Sequence, residues 1–409
     1  MARLQLLKGI RVVDLTHAHA GPFGTQILGD MGAEVIKIEA PNIGELTRVF
    51  YPTAGEGISY YYLALNRNKK SLALDLMTPS GKEAFYDLVK VSDVVIDNLR
   101  GGSLKRMGLD YDTIMKVNPR IISCSIYAYG PTGPLIEAPS NDDVSTALVG
   151  MYSLSGYSGE KPARPPVAIA DISSGMYAAM AIGFALYERS FTGKGRRLEL
   201  SLLDCVISFM QTHYQRYFLA GEIPKPQGAK HPTTPFVGVF ETKDGYVGLG
   251  PCWPRIARIV DKEYLIDDPR FANTELRAKN KDALESEIEE VFKQHNTDQW
   301  IELLRAEDVP VGRVNNLKEA LEEPQIIENK VVGTVKVGGK DLRIIDTPIK
   351  AKGAVQEKHL PPVKVGENTI QVFKEILGYS DAKIQEIFKE QEANAEILAE
   401  RIRTGLSGH

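Results

Sequence analysis

Short runs of β-forming residues alternate with amphipathic segments through the first 130 residues, and this alternation strongly constrains the fold. The runs are Arg11–Leu15, Glu34–Glu39, Ser71–Leu76, Asp93–Asp97 and Arg120–Ala128. The segment Pro79–Lys90 between two of them has helical periodicity, with its proline suited to a first helical turn. Strands and helices that alternate at this spacing predict an α/β fold whose mostly parallel sheet is covered by helices on both faces.

Ligands of such sheets bind at the carboxyl ends of the strands. Three segments follow predicted strands there: Thr16–Pro22, Ala40–Arg48 and Asn98–Gly102. The first of them contains "THAHAGPFG" and lacks the G-x-G-x-x-G pattern. An ordinary dinucleotide site is therefore not predicted.

A second domain is predicted after a stretch rich in glycine, proline and lysine at Gly221–Pro235. The next segment, Phe236–Gly250, is typical of two strands joined at Asp244-Gly245. Helical segments such as Asp282–His295 follow it. The sequence thus predicts a smaller α+β domain over residues 226–329.

Composition narrows the class of partner. With 49 basic and 53 acidic residues the net charge is −4, which gives no reason to expect nucleic acid or an anionic membrane as partner. Three cysteines without a C-x-x-C pair argue against a disulfide framework. The uncharged run Ile172–Tyr187 is shorter than the roughly 20 apolar residues that span a bilayer. We expect a soluble, cytoplasmic protein.

The stretch "PVAIADISSGMYAAM" places Asp171 where an apolar, strand-like run meets a helical one. One interpretation is structural: an aspartate at this position caps the helix. The other is functional, because a helix N-terminus favours an ionised carboxylate and small neighbours leave room for a substrate. The two interpretations are compatible.

Two histidines, His17 and His19, lie two residues apart in the first loop. This spacing raises the possibility of a metal site, but no third group of ligands is evident in the sequence. We therefore favour a role as polar pocket residues and expect no metal.

Several motifs in register identify a family. The motifs "GIRVVDLTHAHAGP", "LGDMGAEVIKIE", "ALNRNKKSLALDL", "NLRGGSLKRMGL" and "VAIADISSGMYAAM" occur in this order, followed by "LGYSDAKIQEI". The chain resembles the class III CoA-transferases, the family of formyl-CoA transferase, carnitine CoA-transferase and 2-methylacyl-CoA racemase. The resemblance extends to about residue 388.

The resemblance implies an enzyme that moves CoA from an acyl-CoA thioester to a carboxylic acid, with Asp171 as the nucleophile. Anhydride and aspartyl-CoA thioester intermediates are implied, with CoA as co-substrate and without a metal or redox cofactor. Oxyanions form at each step, so backbone N–H groups must point at them.

Other family positions carry over individually. The resemblance places Ala18, His19 and Tyr61 in the substrate pocket, although formyl-CoA transferase has a glutamine at the position of His19. The implied CoA contacts are Leu74, Asp75, Asn98, Leu99, Arg100 and Arg106. Ala40 replaces a basic residue of the formyl enzyme, so Arg48 is the expected phosphate contact, with Lys69 or Lys70 as alternatives.

Asp142 helps to choose between branches of the family. The racemase branch has a histidine before the aspartate of the "NDD" motif, whereas this chain has Asp142 before Asp143. A carboxylate beside another carboxylate is a poor substitute for an imidazole that exchanges an α-proton. We therefore favour transfer over racemisation. A non-catalytic acyl-CoA-binding protein of the same fold is a further alternative.

The resemblance also implies quaternary structure. Family members form obligate homodimers of two interlocked rings, in which the C-terminal stretch returns to the N-terminal domain. For this chain it implies a Rossmann-like large domain over residues 1–225, completed by residues 330–409. A glycine-rich lid of the formyl enzyme corresponds in position to Gly248–Pro254, where the run is shorter.

Overall fold

The computed structural model describes residues 3–55 and 57–403, the last eight of them by backbone only. The described chain divides into two compact units. The first comprises residues up to 149, residues 166–215 and residues from 330 onward, and the second comprises residues 150–165 and 216–329. Residues 150–165 and 216–225, which the sequence places in the large domain, therefore belong to the second unit. One reason is local: the N–H of Gly228 donates to the carbonyl oxygen of Gly156 at 2.8 Å.

The strands form one large sheet and several small ones. Their bounds are β1 (Arg3–Leu4), β2 (Arg11–Asp14), β3 (Glu34–Glu39), β4 (Lys69–Ala73), β5 (Val94–Asp97), β6 (Ile122–Tyr127), β7 (Arg196–Ser201), β8 (Gly238–Glu241), β9 (Tyr246–Leu249), β10 (Val311–Arg313), β11 (Val332–Val337), β12 (Lys340–Ile345) and β13 (Gln356–Glu357).

The large sheet of the first unit has six strands in the order β4-β3-β2-β5-β6-β7, and every neighbouring pair is parallel. This confirms the predicted parallel sheet. Numbered within the sheet, the order is that of a doubly wound Rossmann fold, whose direction reverses between the first and fourth strands. Those strands are β2 and β5, so a crevice is expected at their carboxyl ends.

The helices are α1 (Ala20–Asp30), α2 (Tyr60–Leu65), α3 (Pro79–Lys90), α4 (Ser103–Met107), α5 (Tyr111–Val117), α6 (Asp142–Leu148), α7 (Ile169–Thr192), α8 (Leu202–Phe209), α9 (Gln211–Ala220), α10 (Arg255–Ile259), α11 (Thr274–Lys279), α12 (Lys281–Phe292), α13 (Thr297–Ala306), α14 (Leu317–Glu322), α15 (Pro324–Glu328), α16 (Thr369–Gln371) and α17 (Asp381–Arg403). Helix α3 has the predicted bounds.

The core of the first unit includes residues from the end of the chain. Val372, Phe373, Ile384 and Ile387 are buried in the same cluster as side chains of β2–β5 and α3. Polar contacts add to this packing: the N–H of Gly366 donates to Oγ of Ser71 at 2.8 Å. The segment from residue 330 onward thus belongs to the first unit.

The second unit contains the antiparallel sheet β10-β9-β8. Strands β8 and β9 pair as the hairpin predicted around Asp244-Gly245. Its core is aromatic, with Phe236, Phe240, Phe292 and Trp300 almost fully buried together. This unit has the predicted mixed α+β character.

Helix α7 differs from the sequence-based expectation at its start. No strand precedes Asp171, because residues 166–168 are irregular and the helix already begins at Ile169. Pro165-Pro166 removes two backbone donors that a strand in a sheet would need. At 24 residues α7 is longer than the uncharged run within it, and it is long and apolar enough to cross a membrane by length and composition. In the structure it packs within the first unit, with Ala178 and Ile182 fully buried.

Candidate active site

A cavity of about 190 Å³ lies in the first unit at the carboxyl ends of the central strands. Segments that follow β2, β5 and β6 form its wall, which is the position that the doubly wound topology predicts. Its lining comprises Ala18, His19, Ala20, Asn98, Leu99, Arg100, Gly101, Ile126, Tyr127, Ala128, Ile136, Ala138, Ser140, Asn141, Asp171 and Leu202. Several predicted site residues are therefore neighbours in space.

The contact between α1 and α7 brings Asp171 to this wall. The two helices cross at Gly24 and Gly175, where a Cβ on Gly175 would lie 2.5 Å from the carbonyl oxygen of Ala20. A Cβ on Gly24 would lie 2.8 Å from the carbonyl oxygen of Gly175. Only glycine permits backbones to approach so closely. The first turn of α7 consequently lies beside the start of α1.

Asp171 is the third residue of α7 and does not cap it, since the N-cap position belongs to Ala168. The structural interpretation, in which Asp171 caps the helix, is therefore wrong. The expectation of a fully ionised carboxylate also needs correction. Burial, reinforced by the negative charges of Asp142 and Asp143, raises the pKa of Asp171 to about 7. These effects outweigh the favourable field of the helix N-terminus.

Asp142 lies at the start of α6 and is buried. Its Oδ1 accepts the N–H of Ala170 at 2.7 Å and that of Asp171 at 3.2 Å. Two N–H groups that a helix leaves without internal partners are thus satisfied from outside α7. The predicted substrate residue Asp142 holds the first turn of α7 and so the backbone of Asp171.

His19 and Tyr61 form a polar pair. The hydroxyl of Tyr61 lies 2.9 Å from Nδ1 of His19, and their rings meet edge to face. Burial lowers the pKa of His19, which favours a neutral imidazole. Burial, followed by the charge of Asp171, raises the pKa of Tyr61 to about 12. Both side chains are therefore neutral hydrogen-bonding groups near neutral pH.

Asn98 fixes the loop that carries His19. Its Oδ1 accepts the N–H of His17 and its Nδ2 donates to the carbonyl oxygen of His17, both at 2.8 Å. Both bonds thus join the Asn98 side chain to the backbone of a single residue, His17. Asn98 lines the cavity and also positions the loop, which is more than the CoA contact that the resemblance implies.

Of the five remaining predicted CoA contacts, two line the cavity and three do not. Leu99 and Arg100 line the cavity. Arg106 is exposed on α4, where its Nη2 donates to Oγ of Ser103 at 3.0 Å. Leu74 is 2% exposed and belongs to the core, and Asp75 accepts the N–H of Met77 at 2.9 Å. Neither residue lines the cavity.

Arg48 does not match its predicted role as a phosphate contact. Its guanidinium donates to both oxygens of Glu39, at 2.8 and 2.7 Å, and to the hydroxyl of Tyr62 at 2.6 Å. At 3% exposure it is part of the interior. Nor is Lys69 a surface cation, because it is buried and pairs with Asp14 at 3.3 Å.

The part of the wall that follows β6 was not predicted from the sequence. Tyr127 and Ala128 end the predicted strand Arg120–Ala128, so the rule for carboxyl ends could have indicated them. The segment 136–141 and Leu202 have no comparable signal in the sequence. In the parts of the chain that the structure describes, no group of three or more His, Cys, Asp or Glu side chains is arranged to hold a metal.

A larger cavity of about 640 Å³ lies within the second unit. Two of its basic side chains share one acidic partner: Lys230 pairs with Glu285 at 3.0 Å, and Lys281 pairs with the same carboxylate at 3.4 Å. It holds no predicted site residue. The cavity at Asp171 is therefore the better candidate for chemistry.

Comparisons with known proteins identify the family of the chain. A family model described as "CoA-transferase family III" matches residues 7–369. The human succinyl-CoA:glutarate CoA-transferase is 35% identical over 399 residues, covering 95% of this chain and 90% of that enzyme. The acetyl-CoA:oxalate CoA-transferase of Acetobacter aceti is 32% identical over 350 residues, covering 84% of this chain and 89% of that enzyme.

A solved structure of a CAIB/BAIF family protein from Brucella suis superposes with a TM-score of 0.79. It is 32% identical to this chain and covers 91% of it and 100% of that protein. With a family match across most of the chain and transferases among its relatives, the protein belongs to CoA-transferase family III.

Proposed function

We propose that the protein moves CoA from an acyl-CoA thioester to a carboxylic acid, with Asp171 as the covalent nucleophile. The observation that carries this proposal is the position of the Asp171 carboxylate in a small cavity at the strand ends. Among the described residues that line that cavity, it is the one acidic side chain. Asp171 is therefore the residue of this wall that can act as a carboxylate nucleophile.

The first half of the reaction transfers CoA to the enzyme. A carboxylate oxygen of Asp171 attacks the carbonyl carbon of the donor thioester, the C–S bond breaks, and CoA leaves as thiolate. The product on the enzyme is a mixed anhydride. The thiolate then attacks the Asp171 carbonyl carbon and expels the donor acid as its carboxylate. An aspartyl-CoA thioester remains.

The second half reverses these steps with the acceptor. The acceptor carboxylate attacks the Asp171 carbonyl carbon and displaces CoA thiolate, which gives a second anhydride. The thiolate attacks the acceptor carbonyl carbon and releases Asp171 as carboxylate. Every step exchanges one acyl bond for another, so no oxidant, reductant or net proton is needed.

The protonation states around Asp171 suit this role. With a pKa of about 7, a substantial fraction of Asp171 is ionised near neutral pH. A nucleophile that is incompletely stabilised as an anion reacts more readily than a fully solvated carboxylate. When the Tyr61 hydroxyl donates to Nδ1 of neutral His19, the Nε2–H of this cavity-lining imidazole can donate to an acyl oxygen without pairing with the nucleophile.

The surroundings of Asp171 support transfer over racemisation. Asp142 uses its Oδ1 to bind two backbone N–H groups of α7 and lies close enough to raise the pKa of Asp171. A racemase branch enzyme would have a histidine here as a proton-exchanging base. An aspartate engaged in this way serves as a support for the nucleophile.

The choice of donor and acceptor is a proposal that rests on the substrates for which relatives are named. The human relative is named for succinyl-CoA and glutarate, and we propose succinyl-CoA as donor and a small dicarboxylic acid as acceptor. A cavity of about 190 Å³ accommodates an acid of this size. A screen of acyl-CoA donors against mono- and dicarboxylic acids, with the CoA products identified by mass spectrometry, tests this choice.

The mechanism is tested by trapping the intermediate. Incubation with succinyl-CoA without acceptor should leave CoA or an acyl group on the Ala170–Gly175 peptide, and hydroxylamine should remove it. Asp171→Asn should abolish both the adduct and turnover, a loss on the order of 10³-fold or more. An adduct on another residue, or substantial turnover by this variant, would exclude Asp171 as nucleophile.

Exchange of an α-hydrogen for deuterium without acceptor would point to an isomerase instead. Binding without turnover across the acid panel would indicate the non-catalytic alternative.

We further propose a homodimer, the interlocked assembly that the resemblance implies. Helix α7 presents an apolar stripe whose members follow helical spacing and are 42–72% exposed: Met176, Met180, Phe184, Tyr187 and Phe191. A contiguous apolar surface on a water-soluble unit commonly marks an interface. Light scattering at micromolar concentration should give twice the chain mass, and Phe184→Arg should lower it. A fully active monomer would refute the dimer.

A further inference from the structure

A buried ion pair makes hydrogen bonds to the backbone of the loop between β2 and α1. Nζ of Lys37 donates to the carbonyl oxygen of Thr16 at 2.6 Å. Oε1 of Glu45 accepts the N–H of Ala18 at 2.9 Å. The two side chains pair with each other through Glu45 Oε2 at 2.7 Å. The loop backbone is therefore held on both sides of His17 by one Lys–Glu unit.

Ala18 needs such a restraint. Its φ of +60° lies in the left-handed region, which is unfavourable for a residue with a side chain. Residues persist in this region where the surrounding structure fixes them. The hydrogen bond from the Ala18 N–H to Glu45 is a contact that fixes it, and His19 follows directly.

A fully buried ion pair is uncommon in a protein core. Both side chains are 0% exposed, and a buried ion pair adds little stability relative to apolar side chains of similar size. Thr47 anchors Glu45 further, since its hydroxyl donates to Oε1 at 2.6 Å. The hydrogen bonds of this cluster therefore orient the Glu45 oxygen that the loop uses.

We infer that Glu45 is a positioning residue, which holds Ala18 in its left-handed conformation and thereby places His19 against the acyl group in the cavity. The inference rests on the proposed transfer at Asp171 and adds to it a residue outside the cavity lining. The expected consequence is on selectivity: a loosened Ala18 displaces the imidazole of His19 and changes which acceptor acids fit.

Two double variants of equal charge isolate the hydrogen bond. Lys37→Met with Glu45→Gln keeps an oxygen acceptor for the Ala18 N–H, whereas Lys37→Met with Glu45→Leu does not. With succinyl-CoA as donor, we expect the leucine variant to have at least tenfold lower kcat/KM for glutarate than the glutamine variant. We also expect a changed ratio of kcat/KM for glutarate to that for adipate.

Thermal unfolding separates positioning from plain destabilisation. The control variant is Arg67→Met with Asp30→Asn, which removes another buried ion pair, 2.6 Å long, away from the cavity lining. It should lower Tm and leave the acceptor ratio unchanged. If the leucine variant does not fold, Thr47→Val provides the same test, with a shift of the acceptor ratio in the same direction and roughly two- to fivefold.

Equal kcat/KM values and equal acceptor ratios for the glutamine and leucine variants would overturn the inference. So would an unchanged ratio in Thr47→Val. Failure of this inference can be told apart from failure of the proposed mechanism. The acceptor ratio is measured from the CoA products and does not require an adduct on Asp171. A missing adduct with a changed ratio would refute the nucleophile and keep the role of Glu45.

Discussion

The carboxylate of Asp142 accepts the backbone N–H of Asp171 at 3.2 Å, while its negative charge opposes ionisation of the Asp171 side chain. One residue thus fixes the position of the proposed nucleophile and tunes its protonation. Burial is the larger cause of the raised pKa, and the charges of Asp142 and Asp143 follow it. The pH dependence of the reaction should therefore depend on the charge of Asp142 through the pKa of Asp171.

The acid limb of the pH profile should lie near pH 7. Since only ionised Asp171 attacks the thioester, kcat/KM should rise with pH through the pKa of about 7. Asp142→Asn retains an oxygen acceptor for α7 and removes one negative charge, so the limb should move to lower pH. Asp143→Asn should move it in the same direction by less. A limb that stays in place in both variants would show that another group limits the rate.

Stability should respond to the same carboxylate. The folded-state pKa of about 7 exceeds the ordinary value of 3.8, so the folded protein binds the proton more tightly than the unfolded chain. The free energy of unfolding should therefore fall as pH rises from about 4 to about 7. Asp171→Asn lacks this titration and should be more stable relative to wild type at pH 8 than at pH 4.5. Denaturant unfolding at both pH values measures the difference.

The control for that measurement is Glu137→Gln, which changes an exposed carboxylate. Its stability relative to wild type should be the same at both pH values. If the relative stability of Asp171→Asn is also independent of pH, Asp171 is not the half-buried carboxylate of raised pKa that the structure indicates.

Tyr61→Phe should weaken catalysis modestly. The variant keeps the ring contacts with His19 and Phe50 and removes the hydroxyl that lies 2.9 Å from Nδ1 of His19. Loss of one neutral hydrogen bond is worth about 1 kcal/mol, or roughly fivefold in kcat/KM. Steady-state kinetics should show this loss for Tyr61→Phe and none for Tyr60→Phe, which changes the exposed neighbour. Equal behaviour of the two variants would contradict a role for the Tyr61–His19 pair.

The sheet was predictable because buried parallel strands have a local signal. Glu34–Glu39 has its predicted bounds, and Val94–Asp97 differs from the prediction by one residue. The placement of His19, Asn98 and Asp171 near one another followed from the carboxyl-end rule and the family resemblance. These inferences depend on local pattern and topology, which a single sequence carries.

Contacts between distant segments account for what the sequence did not show. The pKa of Asp171 depends on Asp142, which is 29 positions earlier in the chain. Arg48 looked available for a phosphate, but β3 places Glu39 against its guanidinium. The start of α7 looked like a strand because valine and isoleucine precede Asp171, whereas packing of α7 on α1 selects the helix. Each case requires knowledge of the partner in space.

The crossing of α1 and α7 gives the sharpest structural prediction. A methyl group on Gly175 would lie 2.5 Å from the carbonyl oxygen of Ala20 and 3.0 Å from the nitrogen of Gly24. Because backbone atoms provide both contacts, Gly175→Ala should force the helices apart. We expect a loss of about 1–3 kcal/mol in the free energy of unfolding and at least a tenfold loss of kcat/KM, since a displacement near 1 Å already disturbs a reacting geometry.

Gly183→Ala on the same helix is the matched control. Apart from the adjacent residues and the neighbouring backbone of α7, no atom lies within 4 Å of the methyl group it would add, and alanine is a better helix former than glycine by about 1 kcal/mol. This variant should be as stable as wild type or more so, with unchanged activity, measured by denaturant unfolding and steady-state kinetics of both proteins. An alanine at 175 that leaves kcat/KM intact would mean that the close helix crossing does not set the position of Asp171. An equal loss at 183 would mean that the cause is a general sensitivity of α7, because both variants add the same group to the same helix and differ only in what that group contacts.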